Sequence, residues 1–208
     1  MTESATGTTR SAGLTLRPRH GQSFRFDAGA LCLELLLTGG RGPVAAQYET
    51  LDRVEGLHDW VRDCRLPPGL AVTVTDAELA AVRDTRDALW DLALARAEGR
   101  TLPPGPLAVL NTAAAGTPLA ALVAADGTRA WAPGATGTGL LATVARDAVE
   151  LFTGAWADRV RTCGADDCAL LFVDTSRPGR RRWCSMDRCG NRHKVRAHRA
   201  RTPAQEEG

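Results

Sequence analysis

The chain lacks long hydrophobic runs and is poor in aromatic residues. Aromatic side chains make up 5% of its 208 residues, although 44% of the residues are hydrophobic. This composition predicts a globular protein with an aliphatic, alanine-rich core. No stretch reaches the roughly 18 uninterrupted apolar residues of a membrane-spanning helix. The nearest one, residues 107–125, is interrupted by Asn111, Gly116 and Pro118, so we expect no membrane partner.

Secretion and catalytic motifs are missing as well. Residues 1–22 are rich in Thr, Ser, Gly and Ala, without the apolar segment of a signal peptide, and we interpret them as a flexible tail. We therefore expect a cytoplasmic protein whose six cysteines are free, catalytic or bound to metal rather than in disulfides. Because we find no histidine cluster, Gly-rich phosphate loop or nucleophile motif, we predict no catalytic residues and no enzymatic activity.

Lysine is nearly absent, and the positive charge is concentrated at one end. Lys194 is the single lysine among 26 basic residues. Residues 155–202 contain 12 basic and 5 acidic residues, whereas the rest of the chain contains 14 basic and 19 acidic residues. A basic end on a mildly acidic body favours an anionic partner for that end, and the alternative is a solvated charged tail.

Helical periodicity is present along most of the body. It predicts helices over residues 27–38, 55–64, 76 to just before Gly99, 107–114 and 140–157. Asp27 is expected to cap the first helix, and Thr75 or Asp76 the third. Asp126-Gly127 between two apolar segments predicts a β-hairpin. The fold class is therefore α+β: a mainly helical N-terminal domain with one β-hairpin, followed by a small four-cysteine module.

Four of the six cysteines form two evenly spaced pairs. Cys163 and Cys168 are separated by four residues, as are Cys184 and Cys189, and fifteen residues lie between the pairs. Two such pairs can supply four thiolates to one tetrahedral Zn²⁺, which leaves no open position for catalysis. The alternative is four ordinary buried thiols. Cys32 and Cys64 have no partner pattern, and we assign them to core packing.

A hairpin between the two pairs is expected to bring them together. Residues 170–173 are predicted to form one strand, Pro178-Gly179 the turn, and residues 181–183 the returning strand. A segment of about 40 residues is too small to build an adequate core alone, so bound zinc would supply much of its folding free energy.

Arginines follow the second cysteine pair at helical spacing. Arg188, Arg192, Arg196 and Arg199 would share one face of a helix that Pro203 ends. Guanidinium groups match phosphate and the guanine edge. We therefore predict nucleic-acid contacts from Arg180, Arg181, Arg182, Arg188, Arg192, Lys194, Arg196 and Arg199. The alternative is a zinc module for protein interaction or RNA association that does not read DNA sequence.

The segment RRWCSMDRCGNR, with Phe172, Asp174 and Ser176 upstream, resembles the CGNR zinc finger. In that family the finger follows an ABATE domain, and the proteins are proposed stress-induced transcription regulators. Residues 29–34 (GALCLE) resemble the opening element of that domain, and Leu57, Trp60 and Asn111 fall at its weaker motifs.

The opening element departs from the family pattern at a few positions. Glu34 stands where the family usually has Asp, and Leu36-Leu37-Thr38 replaces the usual Asn-Thr continuation. If this element contributes polar groups to a ligand pocket, the pocket of this protein is altered or lost.

The resemblance implies a division into four parts: a tail over residues 1–22, an ABATE-like domain over 23–158, a CGNR-type finger over 159–202 and a tail over 203–208. It implies a DNA-binding transcriptional regulator of the stress response with one structural zinc ion. The N-terminal domain would sense a small-molecule ligand or mediate homodimerisation. We expect it in the bacterial cytoplasm, associated with the nucleoid when it is bound to DNA.

Overall fold

The structure is a computed structural model that describes residues 13–17, 23–41 and 48–201, with side chains as far as Arg196. The described residues are mainly helical, and small antiparallel hairpins complete this part of the chain, so the predicted fold class is confirmed. Within the covered residues, the helices are α1 Leu31–Leu35, α2 Val54–Asp63, α3 Asp76–Ala97, α4 Pro104–Ala114, α5 Gly137–Thr153 and α6 Asn191–Arg201. No helix in this part of the chain has both the length and the apolar content needed to cross a bilayer.

The first helix is shorter than predicted. It begins at Leu31 and continues into a 3-10 turn over Leu36–Thr38. Asp27 does not cap it, because its carboxylate accepts a hydrogen bond from the N–H of Gly29 (2.8 Å). The N–H of Cys32 instead donates to Asp147 of α5 at 2.8 Å, so the N-terminus of α1 is capped by a residue 115 positions away.

Helices α3 and α5 form the centre of the core. The predicted inward-facing residues of α5 are buried, and Leu79, Val82 and Leu89 are buried on α3. Thr75 caps α3 through a capping box with Glu78, as the sequence predicts. The second carboxylate oxygen of Glu78 accepts hydrogen bonds from the N–H (2.9 Å) and hydroxyl (3.0 Å) of Thr138. Glu78 therefore stabilises the N-termini of both helices.

Two hairpins are found among the described residues of the N-terminal part. Strands β3 (Ala121–Val123) and β4 (Arg129–Trp131) flank Asp126-Gly127 and confirm the predicted hairpin. Strands β1 (Leu14–Leu16) and β2 (Phe24–Phe26) form a second one. The assignment of residues 1–22 to a flexible tail is therefore wrong at β1, where Leu14 and Leu16 are buried in the core. Residues 1–12 and 18–22 lie outside the described part of the chain, as does the predicted tail over 203–208.

The hairpin of the C-terminal module differs from the predicted one. Strand β6 (Leu171–Val173) pairs antiparallel with β5 (Val160–Thr162), which precedes the first cysteine, and not with residues 181–183. The N–H of Arg181 donates to the buried carboxylate of Asp174 (2.9 Å). This bond takes up a donor that a returning strand at residues 181–183 would need, and the two predicted partners do not pair.

The C-terminal module packs directly on the body. Strand β5 lies against α3, and Val160 and Phe172 belong to the same hydrophobic cluster as the core of α3 and α5. The N–H of Val173 donates to the carbonyl of Ala28 at 2.9 Å. A Cβ on Gly29, which has φ of +87°, would lie 2.8 Å from the Cβ of Val173. The glycine that opens the N-terminal element is therefore required for contact with β6.

Glu78→Gln should destabilise the protein, because the carboxylate accepts four hydrogen bonds at two helix N-termini. We expect the free energy of unfolding to fall by about 1 kcal/mol near neutral pH. Hydrogen bonds from Thr75 and Thr138 lower the pKa of Glu78 to about 2 from its usual 4.5. The carboxylate's contribution is therefore present above about pH 4.5 and lost as the pH falls towards 2.

Urea denaturation of both proteins at several pH values measures this. The difference from wild type should shrink below about pH 4.5. Glu150→Gln, at an exposed position on α5, is the matched control and should leave stability unchanged. Equal stability of the two variants at neutral pH would contradict the role given to Glu78.

Candidate metal centre

The four predicted zinc ligands meet in one small cluster. The sulfur atoms of Cys163, Cys168, Cys184 and Cys189 all lie within 4.8 Å of one another, and all four residues are buried. The sulfur of Cys184 is 3.8 Å from that of Cys168 and 3.4 Å from that of Cys189. Four sulfurs at about 2.3 Å from a tetrahedral Zn²⁺ would be about 3.8 Å apart. The cluster therefore fits one structural zinc ion, and its cysteines are not in disulfides.

The first pair lies in the loop that joins β5 to β6. The N–H of Cys163 donates to the carbonyl of Leu170 (2.9 Å), which extends the strand pairing up to the first ligand. A turn then brings the N–H of Cys168 to the carbonyl of Ala165 (3.0 Å). The hairpin therefore places both sulfurs at its tip, on the same side.

The second pair is held by a turn that leads into α6. The N–H groups of Cys189 and Gly190 both donate to the carbonyl of Ser185 (3.1 Å each), within a π-helical turn over Met186–Gly190. The N–H of Cys184 donates to the sulfur of Cys163 at 3.4 Å. Helix α6 begins at the next residue, Asn191, so its start is fixed by the cluster.

The motif residues Phe172, Asp174 and Ser176 support the second cysteine pair through Arg181. Asp174 is fully buried and accepts hydrogen bonds from the N–H and hydroxyl of Ser176 and from the N–H of Arg181. Burial alone would raise the pKa of Asp174, but these hydrogen bonds lower it. The guanidinium of Arg181 stacks on Phe172 (4.2 Å) and donates to the carbonyls of Trp183 and Cys184. Arg181 is thus a structural support of the cluster.

Crowding of the sulfurs sets their protonation. Hydrogen bonds from the thiols of Cys168 and Cys184 lower the pKa of Cys163. Hydrogen bonds to the sulfur of Cys163 in turn raise the pKa values of Cys168 and Cys184, and burial and the charge of Cys163 add to this. Deprotonation of all four sulfurs at these short distances needs a cation among them, because the thiolates repel one another. When bound, zinc supplies that charge and releases the protons.

A cleft of about 480 Å³ lies beside the cluster. It is lined by the first cysteine loop, the start of α6, Arg182 and Cys189. Its acidic, basic and histidine side chains are Asp166, Asp167, Arg182, Arg192, His193 and Arg196. The guanidinium of Arg192 donates to the sulfur of Cys189 at 3.2 Å, so one wall of the cleft is tied to the metal site. An anionic group that enters the cleft could contact Arg182, Arg192 and Arg196 at once.

The predicted nucleic-acid residues fall into different environments. Arg180, Arg182, Lys194 and Arg196 are exposed, and Arg192 is half-buried in the wall of the cleft. The Cζ atom of Arg188 lies 4.1 Å from the ring centroid of Phe24, and the guanidinium of Arg181 stacks on Phe172. Both side chains are therefore engaged with other residues of the protein. The side chain of Arg199 lies outside the described part of the chain, so the predicted continuous arginine face is not traced to its end.

Three features of this site were not predicted from the sequence. These are the pairing of β6 with β5, the contact of Arg188 with Phe24, and the ion pairs of Asp167 with Arg192 and Arg196. The alternation of Val160-Arg161-Thr162 before the first cysteine is the one local signal that indicated a strand there. The other two contacts join residues far apart in the chain and leave no local pattern.

The changed opening element is directed mainly into the core. Glu34 is fully buried, and its carboxylate accepts hydrogen bonds from the N–H (2.8 Å) and Nε (3.1 Å) of Arg65. Leu36 and Leu37 are buried too. Leu37 also reaches a separate cleft of about 290 Å³, whose acidic lining residues are Glu49, Asp52, Asp59 and Asp63. Cys32 and Cys64 are buried outside the four-cysteine cluster.

Fold and site together define a mainly helical protein that carries a four-cysteine zinc module. The model of the CGNR zinc finger family matches residues 159–202. The model of the ABATE family, described as "Putative stress-induced transcription regulator", matches residues 29–155, more than half of the chain. The chain therefore belongs to the ABATE family and ends in a CGNR zinc finger. No curated protein sequence matches it. The family description is that of a regulator and not of an enzyme.

Replacing one cluster cysteine should abolish stable metal binding. We expect wild-type protein to contain one zinc ion per chain and Cys184→Ser to lose it on dialysis, with affinity lowered by more than about 100-fold, because changes outside the ligand shell alone cost about 10–100-fold. Mass spectrometry of the purified proteins gives the zinc content. Cys64→Ser is the matched control at a buried cysteine outside the cluster and should retain one zinc ion. Equal zinc content in the two variants would contradict the site.

Proposed function

We propose that this protein is a DNA-binding transcriptional regulator whose zinc module binds the phosphate backbone. The observation that carries this proposal is the cleft of about 480 Å³ beside the cysteine cluster, which collects Arg182, Arg192 and Arg196. Residues 155–202 contain 12 basic and 5 acidic residues, so the surrounding field is positive. Membership in a family described as a transcription regulator supports the same assignment.

The cysteine cluster would give this surface its rigidity. Arg192 is held by the sulfur of Cys189 (3.2 Å), and Arg182 lies over the ring of Trp183 (5.1 Å), which itself contacts the ring of His193. Side chains that are ordered before binding lose less conformational entropy when they meet a ligand. The metal would thus act by fixing arginine positions, with no step of chemistry on the ligand.

The eight predicted residues would then contribute unequally. Arg182, Arg192 and Arg196 line the cleft, whereas Arg180 and Lys194 are exposed beyond it and would contact neighbouring phosphates. Arg181 and Arg188 are engaged with Phe172 and Phe24, and we assign them to support of the module. Arg199 stays a predicted contact at the far end of α6.

The N-terminal domain is proposed to carry the regulatory input. Its cleft of about 290 Å³ lies between β1, the 3-10 turn after α1 and helix α2, and it combines apolar walls with Glu49, Asp52 and Asp59. This volume approaches that of small-molecule sites. A small cationic or hydrogen-bond-donating ligand would suit this lining. Homodimerisation stays a prediction, and light scattering of the full chain would measure it.

Arg196→Gln should weaken DNA binding without loss of zinc. Removing one phosphate contact is expected to lower affinity by roughly 10-fold and to reduce the slope of log K against log salt by about 0.9. Fluorescence anisotropy with a labelled duplex over a range of salt concentrations measures both. Arg53→Gln is the matched control. Arg53 is an exposed residue at the N-cap of α2, so this change removes the same charge from the body and should leave DNA affinity nearly unchanged.

Other ligands are separate outcomes of the same measurement. Absence of duplex binding by the zinc-loaded wild type at low salt would overturn the proposal. Tighter binding to single-stranded RNA than to duplex DNA would replace it with the RNA-associated alternative. Equal losses in Arg196→Gln and Arg53→Gln would show that overall charge, and not the cleft, causes the binding.

A further inference from the structure

Asp167 lies inside the cleft at the point where two arginines converge. Its Oδ2 atom accepts hydrogen bonds from Nη1 of Arg192 (3.0 Å) and from Nη2 of Arg196 (3.3 Å). Two guanidinium groups that meet at one anionic oxygen form the arrangement that arginines adopt around a phosphate oxygen. The carboxylate thus occupies the position in the cleft where an incoming phosphate would be bound most strongly.

The turn that carries Asp167 does not need this side chain. The backbone hydrogen bond from the N–H of Cys168 to the carbonyl of Ala165 closes the turn. The side chains of Asp167 and Arg196 are 42% and 61% exposed, so their ion pair is screened by solvent and contributes little to folding. The effect of the carboxylate is therefore felt mainly by ligands of the cleft.

We propose that Asp167 is an intramolecular competitor that occupies the phosphate position and sets the affinity of the cleft for nucleic acid. This inference rests on the proposed function. A phosphate must displace the carboxylate from Arg192 and Arg196, and the displaced charge then remains nearby. A single phosphate would be bound weakly for this reason. A polyanion that also reaches Arg180, Arg182 or Lys194 gains enough further contacts, so the device selects nucleic acid over free phosphate or mononucleotides.

Asp167→Asn tests this directly. The variant keeps the shape of the side chain and removes its charge, so we expect affinity for a labelled duplex to rise roughly five-fold at about 0.1 M salt, and the slope of log K against log salt to steepen by about one unit. Inorganic phosphate should compete with the duplex more effectively in this variant than in wild type. Asp187→Asn is the matched control, because it removes the same charge from an exposed position of the same module and should change affinity less than two-fold.

A double variant separates local competition from a general charge effect. The gain from Asp167→Asn should largely disappear in the Arg196→Gln background if the two side chains act at one phosphate position. Zinc content is measured for every variant, and Asp167→Ser is tested beside Asp167→Asn in case one of them binds less zinc.

The possible outcomes distinguish the competitor role of Asp167 from the proposed DNA binding on which it rests. If the wild type binds duplex and Asp167→Asn gains no more than Asp187→Asn, the competitor role is overturned and DNA binding stands. A gain that persists unchanged with Arg196→Gln overturns it too. If the zinc-loaded wild type does not bind duplex at low salt, the proposed function itself is overturned.

Discussion

Four buried sulfurs can bind a metal ion together as thiolates only if their negative charge is compensated, and the C-terminal part of the chain is organised by this requirement. The N–H of Cys184 and the guanidinium of Arg192 point at sulfurs of the cluster. Arg181 supports the backbone of the second pair, and Asp174 fixes Arg181 in turn. The upstream motif and the cysteine motif are therefore parts of one electrostatic arrangement, even though they are separate in the sequence. The arginines around the cysteines are therefore part of the metal centre as its outer shell.

This dependence divides the arginines of the module between two tasks. A planar guanidinium can stack on a ring while it donates hydrogen bonds, which a lysine cannot do in the same way. Arg181 does both towards Phe172 and the carbonyls of Trp183 and Cys184, and half-buried Arg188 lies over the ring of Phe24. Arg196 extends into the cleft, and Arg192 takes part in both tasks because it touches Cys189 and Asp167. A count of positive charges in the sequence does not separate these tasks, because only the fold decides which charge remains available to a ligand.

The sequence was informative wherever the determining interaction is local. Cysteine spacing identified the cluster because each pair closes a short loop, and periodicity identified α2 to α5 to within a few residues. It failed where distant residues decide. The sequence predicts Asp27 as the cap of α1, but the N–H of Cys32 at the start of α1 donates to Asp147 of α5, and Asp27 accepts from Gly29. The partner of β6 was misassigned because the Pro178-Gly179 turn indicated a return over residues 181–183, whereas the N–H of Arg181 donates to Asp174 and β6 pairs with β5.

The contact between Gly29 and Val173 has a consequence for how such proteins can diversify. The boundary between the two matched families falls near residue 157, yet the strand beyond it completes the packing of the domain before it. A finger transplanted from a relative would bring its own β5 and β6 into a body shaped for Val160 and Phe172. Recombination at this junction therefore yields a folded protein only when β5 and β6 fit the surface of the N-terminal domain on which they pack. The two modules are expected to be inherited together as one evolutionary unit.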